Sequence, residues 1–171
     1  MASDILVKTM NDAGEHPIDS WSEYRTAVLE TIARAGSTLR IFDPDLSQTG
    51  LESIAGVDHL GALLQRSVQA EAIRILVRDP AFLERDCPRL MALLTRFGHR
   101  IAIRIASESL AMPESAFLIA DGAHLVIRFH HERPRGKRCI EDGHAASERD
   151  AQFETLWESA RTGPSGAPIG L

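Results

Sequence analysis

Apolar positions along this chain alternate between helical spacing and strict two-residue alternation, and the alternation maps out its elements. Ser20-Trp21-Ser22-Glu23 has capping-box spacing, and Tyr24, Val28, Leu29, Ile32 and Ala35 follow at helical intervals up to Gly36. Residues 38–43 are short, alternating and β-rich, which predicts a strand, with Asp43-Pro44-Asp45 as its turn. A second helical face runs over 57–70 through Leu60, Leu63, Leu64 and Val68, and 72–78 predicts the second strand. Asp79-Pro80 opens a helical region in which Leu90, Met91, Leu93, Leu94 and Phe97 lead to a stop at Gly98. Residues 101–105 predict a third strand. Segments 115–120 and 124–129 flank Asp121-Gly122, a strong hairpin signal. A last helix over 145–160 carries Phe153, Leu156 and Trp157 on one face.

Strands separated by helical patterns imply parallel crossovers, and the hairpin adds antiparallel pairing. The expected fold class is therefore α/β, a mixed β-sheet flanked by helices on both faces. Residues 1–18 lack a sustained period and contain Asn11-Asp12-Ala13-Gly14 and His16-Pro17, so they predict a flexible N-terminal arm. One domain then covers 19–161, and the Gly- and Pro-bearing stretch 162–171 predicts a flexible tail.

A length of 171 residues, 44% hydrophobic and 25% charged, suits one globular domain with a single substantial core. No apolar run approaches the roughly 20 residues of a membrane span. The first residues lack the pattern of a signal peptide, and two cysteines make no disulfide framework, so a cytoplasmic setting with reduced thiols is expected.

The formal net charge is -5, yet residues 128–138 (Arg-Phe-His-His-Glu-Arg-Pro-Arg-Gly-Lys-Arg) concentrate positive charge in one place. Arg128, Arg133, Arg135, Lys137 and Arg138, with His130 and His131, are the candidate anion-binding residues, on a loop after the hairpin. The anion could be nucleic acid or another phosphate-bearing ligand. Phe129 could add stacking and the histidines pH sensitivity. The bland alternative is a solvated loop neutralised by acidic surface elsewhere.

Other side chains suggest different chemistry. Strand ends in a crossover sheet carry Asp43 and Asp45, Arg78 and Asp79, and Ser107, Glu108 and Ser109, a possible hard-cation site. Asp79 before Pro80 equally suits a helix start. His130, His131, Cys139 and His144 invite zinc, but adjacent histidines on a strand point to opposite sides. Cys87 before Pro88 stands at a helix start, either as a nucleophile with a lowered pKa or as an inert cap. There is no G-x-S-x-G elbow, Walker loop or G-x-G-x-x-G, and no cofactor is expected.

Residues 114–122 (Glu-Ser-Ala-Phe-Leu-Ile-Ala-Asp-Gly) resemble the catalytic strand of phospholipase D-like domains, H-x-K-x4-D followed by a glycine turn. Aligned on Asp121-Gly122, Glu114 takes the histidine position and Ala116 the lysine position. Arg40-Ile41-Phe42, residues 73–79, Pro88-Arg89-Leu90 with Leu93-Leu94, Ile103-Arg104 and residues 153–157 also resemble a small, uncharacterised proteobacterial family of that fold. The resemblance implies one half of a phospholipase D-like domain whose histidine and lysine are absent. It also implies a non-catalytic role in binding an anionic ligand or a protein partner. A metal- or cysteine-dependent hydrolase and a homodimeric interaction module are the competing classes.

Overall fold

A computed structural model describes residues 13–108 and 112–165. Its strands are β1 (Gly14–Ile18), β2 (Leu39–Asp43), β3 (Ile73–Val77), β4 (Ile101–Ile105), β5 (Ala116–Ala120), β6 (His124–Arg128), β7 (Gly136–Ile140) and β8 (Arg161–Thr162). The helices are α1 (Trp21–Arg34), α2 (Ile54–Arg66), α3 (Ala81–Asp86), α4 (Pro88–Arg96) and α5 (Gly143–Ser159). One sheet runs β1-β7-β6-β5-β2-β3-β4-β8, with β2, β3 and β4 parallel and every other pairing antiparallel. The expected mixed sheet with helices on both faces is what forms.

Alternation along the strands divides the core. Ile41, Ile75, Val77, Leu118 and Val126 face α1, α2 and α4, whereas Phe42, Leu76, Phe117, Ile119 and Ile127 face α5. Ser20 caps α1 with the full reciprocal capping box to Glu23, as its spacing predicts. Asp121 and Gly122 take φ of 55° and 64°, the left-handed pair that a two-residue hairpin turn requires. The Asp121 carboxylate also accepts the backbone N–H groups of Gly36, Ser37 and Thr38 at 2.9, 2.8 and 3.0 Å, tying the hairpin to the α1–β2 connection.

Several boundaries differ from expectation. Gly14–Ile18 is an edge strand, because its backbone pairs with β7, a partner 118 to 126 residues away that no local pattern announces. The arm before Ala13 and the tail beyond Ser165 lie outside the described residues, while Arg161–Thr162 pairs with β4. The helical region after Pro80 is two helices, broken where Pro88 can offer no N–H to Cys87's turn. Helix α2 ends at Arg66, which leaves Val68 exposed beyond the helical face. Among the described residues no helix is long and apolar enough to cross a membrane.

Of the segments that carry the family resemblance, Arg40, Arg74, Arg104 and residues 153–157 meet on the α5 face, whereas Leu90, Leu93 and Leu94 pack on the opposite face of the sheet. Trp157 lies under the guanidinium groups of Arg74 and Arg104, at 5.4 and 4.5 Å from its ring centroid. Glu154 bridges Arg74 at 3.3 Å and Arg40 at 3.5 Å, and Arg104 donates to the Trp157 carbonyl at 2.9 Å. Three arginines from three adjacent parallel strands thus anchor one helix.

Candidate functional site

The pairing directions put the carboxyl ends of β1, β2, β3, β4 and β6 on one edge of the sheet, with the amino ends of β5, β7 and β8. Asp43, Arg78, Arg128 and the 129–135 loop fall on or near that edge, whereas Arg138 lies mid-strand and Cys139 and His144 lie toward the opposite, hairpin-turn edge. Glu114 and Ala116 share the first edge, at the start of β5, whereas Asp121 lies at the opposite edge in the hairpin turn.

Residues 128–138 do not form one loop. Only 129–135 is loop, closed by the Phe129 N–H donating to the Arg135 carbonyl at 3.0 Å. Residues 136–140 continue as β7, because Gly136 can approach β6 so closely that an added Cβ would collide with the Ile127 carbonyl oxygen. The basic residues give this strand no alternating pattern: Lys137 and Arg138 are half-buried while Cys139 and Ile140 are buried.

Arg128 requires the largest correction. It is the last residue of β6, only 1% exposed, and on the face of Val126, so its guanidinium enters the core beneath α1. One Nη donates to Asp43 Oδ1 at 3.3 Å, and the group lies over Trp21 and Tyr24 at 5.2 and 4.8 Å from the ring centroids. A buried, paired arginine is not available to an external anion. Asp43 also accepts the N–H groups of Leu46 at 2.7 Å and Asp45 at 3.2 Å. Burial outweighs the attraction of Arg128 and these bonds, and holds the Asp43 carboxyl above its ordinary range. Burial likewise raises the Tyr24 hydroxyl.

The remaining cations divide into two groups. Lys137 bonds Glu15 at 3.0 Å, and that bond holds its ammonium above the ordinary value. Arg138 pairs with Glu30 of α1 at 2.6 Å. Arg133 and Arg135 are exposed and make no side-chain hydrogen bond or ion pair among the described residues. Phe129, 48% exposed, shares a cleft of about 410 Å³ with Arg135, Lys137, Glu15 and Asp19.

His130 and His131 lie beyond the end of β6, so strand alternation does not separate them, and their rings stack at 5.3 Å. His130 Nε2 meets Glu114 Oε2 at 3.1 Å, while His131 takes the Glu114 carbonyl through its backbone N–H at 2.8 Å. The residue at the resembled histidine position is thus held by two histidines from the next loop. Ala116 stands opposite Arg128 in the hairpin register.

The strand-end carboxylates serve their own turns: Asp45 accepts from the Ser47 N–H and hydroxyl, and Asp79 from the Ala81 N–H at 2.9 Å. Among the described residues no three His, Cys, Asp or Glu side chains are grouped to hold a metal ion. Ser109 lies outside the described residues. Cys87 occupies the cap position of α4 without a side-chain capping bond, and burial pushes its thiol up to about 11. The lowered pKa that a nucleophile would need is therefore reversed, because desolvation is the leading influence on the thiol. Sequence reasoning missed Arg161, which only the pairing of β8 with β4 brings to the edge.

This α/β fold, with its crossovers followed by a hairpin and a closing helix, is similar to that of phospholipase D family members. Nuc from Salmonella typhimurium, a phospholipase D family member, superposes with TM-score 0.63 at 15% identity, covering 88% of this chain and 99% of that one. NucT from Helicobacter pylori gives 0.55 at 10% identity over 87% and 98%. TrmBL2, an archaeal chromatin protein described as showing a novel mode of DNA binding, gives 0.63 at 13% identity. Here 95% of this chain is covered, and the chain spans 61% of TrmBL2's length. By sequence, the chain belongs to the family described as Domain of unknown function (DUF7931), which matches over residues 20–165. Among curated proteins none matches.

Proposed function

We propose that this domain is a non-catalytic phospholipase D-like module that acts by binding an anionic ligand, with nucleic acid as the leading candidate. The observation that carries the reading is the division of the basic run. Arg128, Lys137 and Arg138 are consumed in ion pairs, whereas Arg133 and Arg135 stand exposed on a closed loop without partners among the described residues. Guanidinium groups so presented suit bidentate contact with phosphate oxygens. DNA binding by the similarly folded TrmBL2 favours the same ligand class.

The non-catalytic half of the reading is supported by Glu114 and Ala116 at the positions where the resemblance expects histidine and lysine. A carboxylate cannot replace an imidazole as the attacking group of a phosphohistidine route, and alanine holds no phosphate. Arg128, opposite Ala116, turns its charge inward to Asp43 instead of offering it at the edge.

The test is binding of short single-stranded and duplex DNA by the whole chain at two salt concentrations, with a paired Arg133→Ala and Arg135→Ala variant. Affinity should fall steeply with salt. The variant should flatten the duplex log–log slope by about 1.8, the value for two phosphate contacts. Equal binding by the variant, or none by the parent at low salt, removes the reading. Hydrolysis of bis(4-nitrophenyl) phosphate above the blank would remove its non-catalytic part.

A further inference from the structure

A second feature of the same sheet edge stands apart from the basic loop. Arg78 follows the last residue of β3, and Arg161 opens β8. Ile105, the end of β4, has Val77 of β3 on one side and Arg161 on the other, so the two arginines straddle the carboxyl end of β4. Their strands are two sheet spacings apart, about 10 Å, within joint reach of two long side chains. Gly163 makes the placement possible: an added Cβ there would stand 2.8 Å from the Ile103 carbonyl oxygen, so only glycine lets the chain leave β8 flush against β4.

Between the arginines opens a cavity of about 430 Å³, lined also by Ser107, Glu108 and Ser159. Both guanidinium groups are exposed and have no side-chain partner among the described residues. The end of α5 does not occupy them, because the Trp157 carbonyl is already capped by Arg104 and by the Ala160 N–H. Asp79 is turned to the Ala81 N–H, which leaves Glu108, exposed on the rim, as the nearby carboxylate. Two forked cations lining one polar cavity at the ends of parallel strands complement a phosphate dianion in charge and hydrogen-bonding capacity. A volume of this size takes a small molecule rather than a polymer.

We infer that Arg78 and Arg161 form a binding site for a small phosphomonoester, separate from the Arg133–Arg135 loop. The site would hold the phosphoryl group between the two guanidinium groups, with the rest of the ligand in the cavity beside Ser107 and Ser159.

The experiment is calorimetric titration of the whole chain with glycerol 3-phosphate, repeated with Arg78→Gln, with Arg161→Gln and with the paired Arg133→Ala, Arg135→Ala variant. Each glutamine variant should bind at least about tenfold more weakly, the loss expected for one charge-assisted contact. The loop variant should bind as the parent does. Both substituted arginines are exposed, so unchanged circular dichroism will show that the fold is intact. No saturable binding by the parent, or unchanged affinity in both glutamine variants, overturns the inference. Loss confined to the loop variant also overturns it, while leaving the loop reading in place. DNA binding that disappears with the loop variant, alongside retained glycerol 3-phosphate binding, separates the two sites.

Discussion

Asp43 and Arg128 meet 3.3 Å apart in the interior, each 1% exposed, joining the end of β2 to the end of β6 across β5. Arg128 Nε and Nη1 find no hydrogen-bond acceptor, and aromatic rings from α1 close over the group. Removing either partner alone should therefore leave an uncompensated buried charge. Arg128→Met is expected to lower stability by about 3–5 kcal/mol in urea unfolding, and the paired Asp43→Leu, Arg128→Met variant by clearly less. A double variant as unstable as the single one would count against charge isolation as the cause.

The same pair gives a pH dependence. Burial raises the folded-state pKa of Asp43 above its unfolded value. Its contribution to stability is then fully present below the ordinary carboxylate range and is lost as pH rises through the raised folded value. Asp43→Asn should remove that part of the stability–pH profile, read as a flatter slope above the ordinary carboxylate range. A profile unchanged by the substitution would assign the slope to other groups.

Asp121 holds three successive backbone N–H groups, of Gly36, Ser37 and Thr38, from 83 to 85 residues away. Asp121→Ala should cost on the order of 1–3 kcal/mol and speed hydrogen exchange at those three amides. Asp121→Asn keeps an acceptor oxygen and should lose less. The position that the resemblance gives to a motif aspartate would then have a demonstrated structural duty.

Gly136 brings β7 so close to β6 that a Cβ at this position would collide with the Ile127 carbonyl oxygen. Gly136→Ala should destabilise at the upper end of the ~1–3 kcal/mol range for overpacking, or beyond it. Gly122→Ala meets nothing within 4 Å, and its cost is limited to the strain of a φ of 64°. The contrast, measured by thermal unfolding of the two variants, separates collision from backbone strain. A Gly136 variant as stable as the Gly122 variant would contradict the close pairing of β6 and β7.

Cys87, its thiol pushed up to about 11 and buried, should resist thiol reagents at pH 8 in the folded protein. Labelling should appear only with unfolding, at rates that follow denaturant. Rapid labelling of Cys87 in the native state would revive the nucleophile reading.

Much of this domain was legible in one dimension, and the reason is local. The capping box at Ser20, the β-rich runs ending at Asp43, Val77 and Ile105, and the Asp121-Gly122 turn each state their structure through neighbours in sequence. The resemblance around residues 114–122 drew on the same local signals. What could not be read was which charges would be used. Arg128 and Arg135 look alike along the chain. Only the registers of β6 and β7 send one to Asp43, 85 residues away, and leave the other in water. Arg138 similarly finds Glu30 at a separation of 108 residues, and Lys137 finds Glu15 at 122.

The edge strand β1 and the short β8 went unannounced for a related reason. Their stabilisation comes from backbone hydrogen bonds to partners far along the chain, not from an apolar period of their own. Hydrophobic spacing thus determined the layers and the α/β class, because burial is dictated by each element's own face, and the Asp121-Gly122 turn determined the hairpin. The tertiary structure decided which basic groups are spent on carboxylates and which stay exposed to solvent, because ion pairing depends on distances that strand register sets.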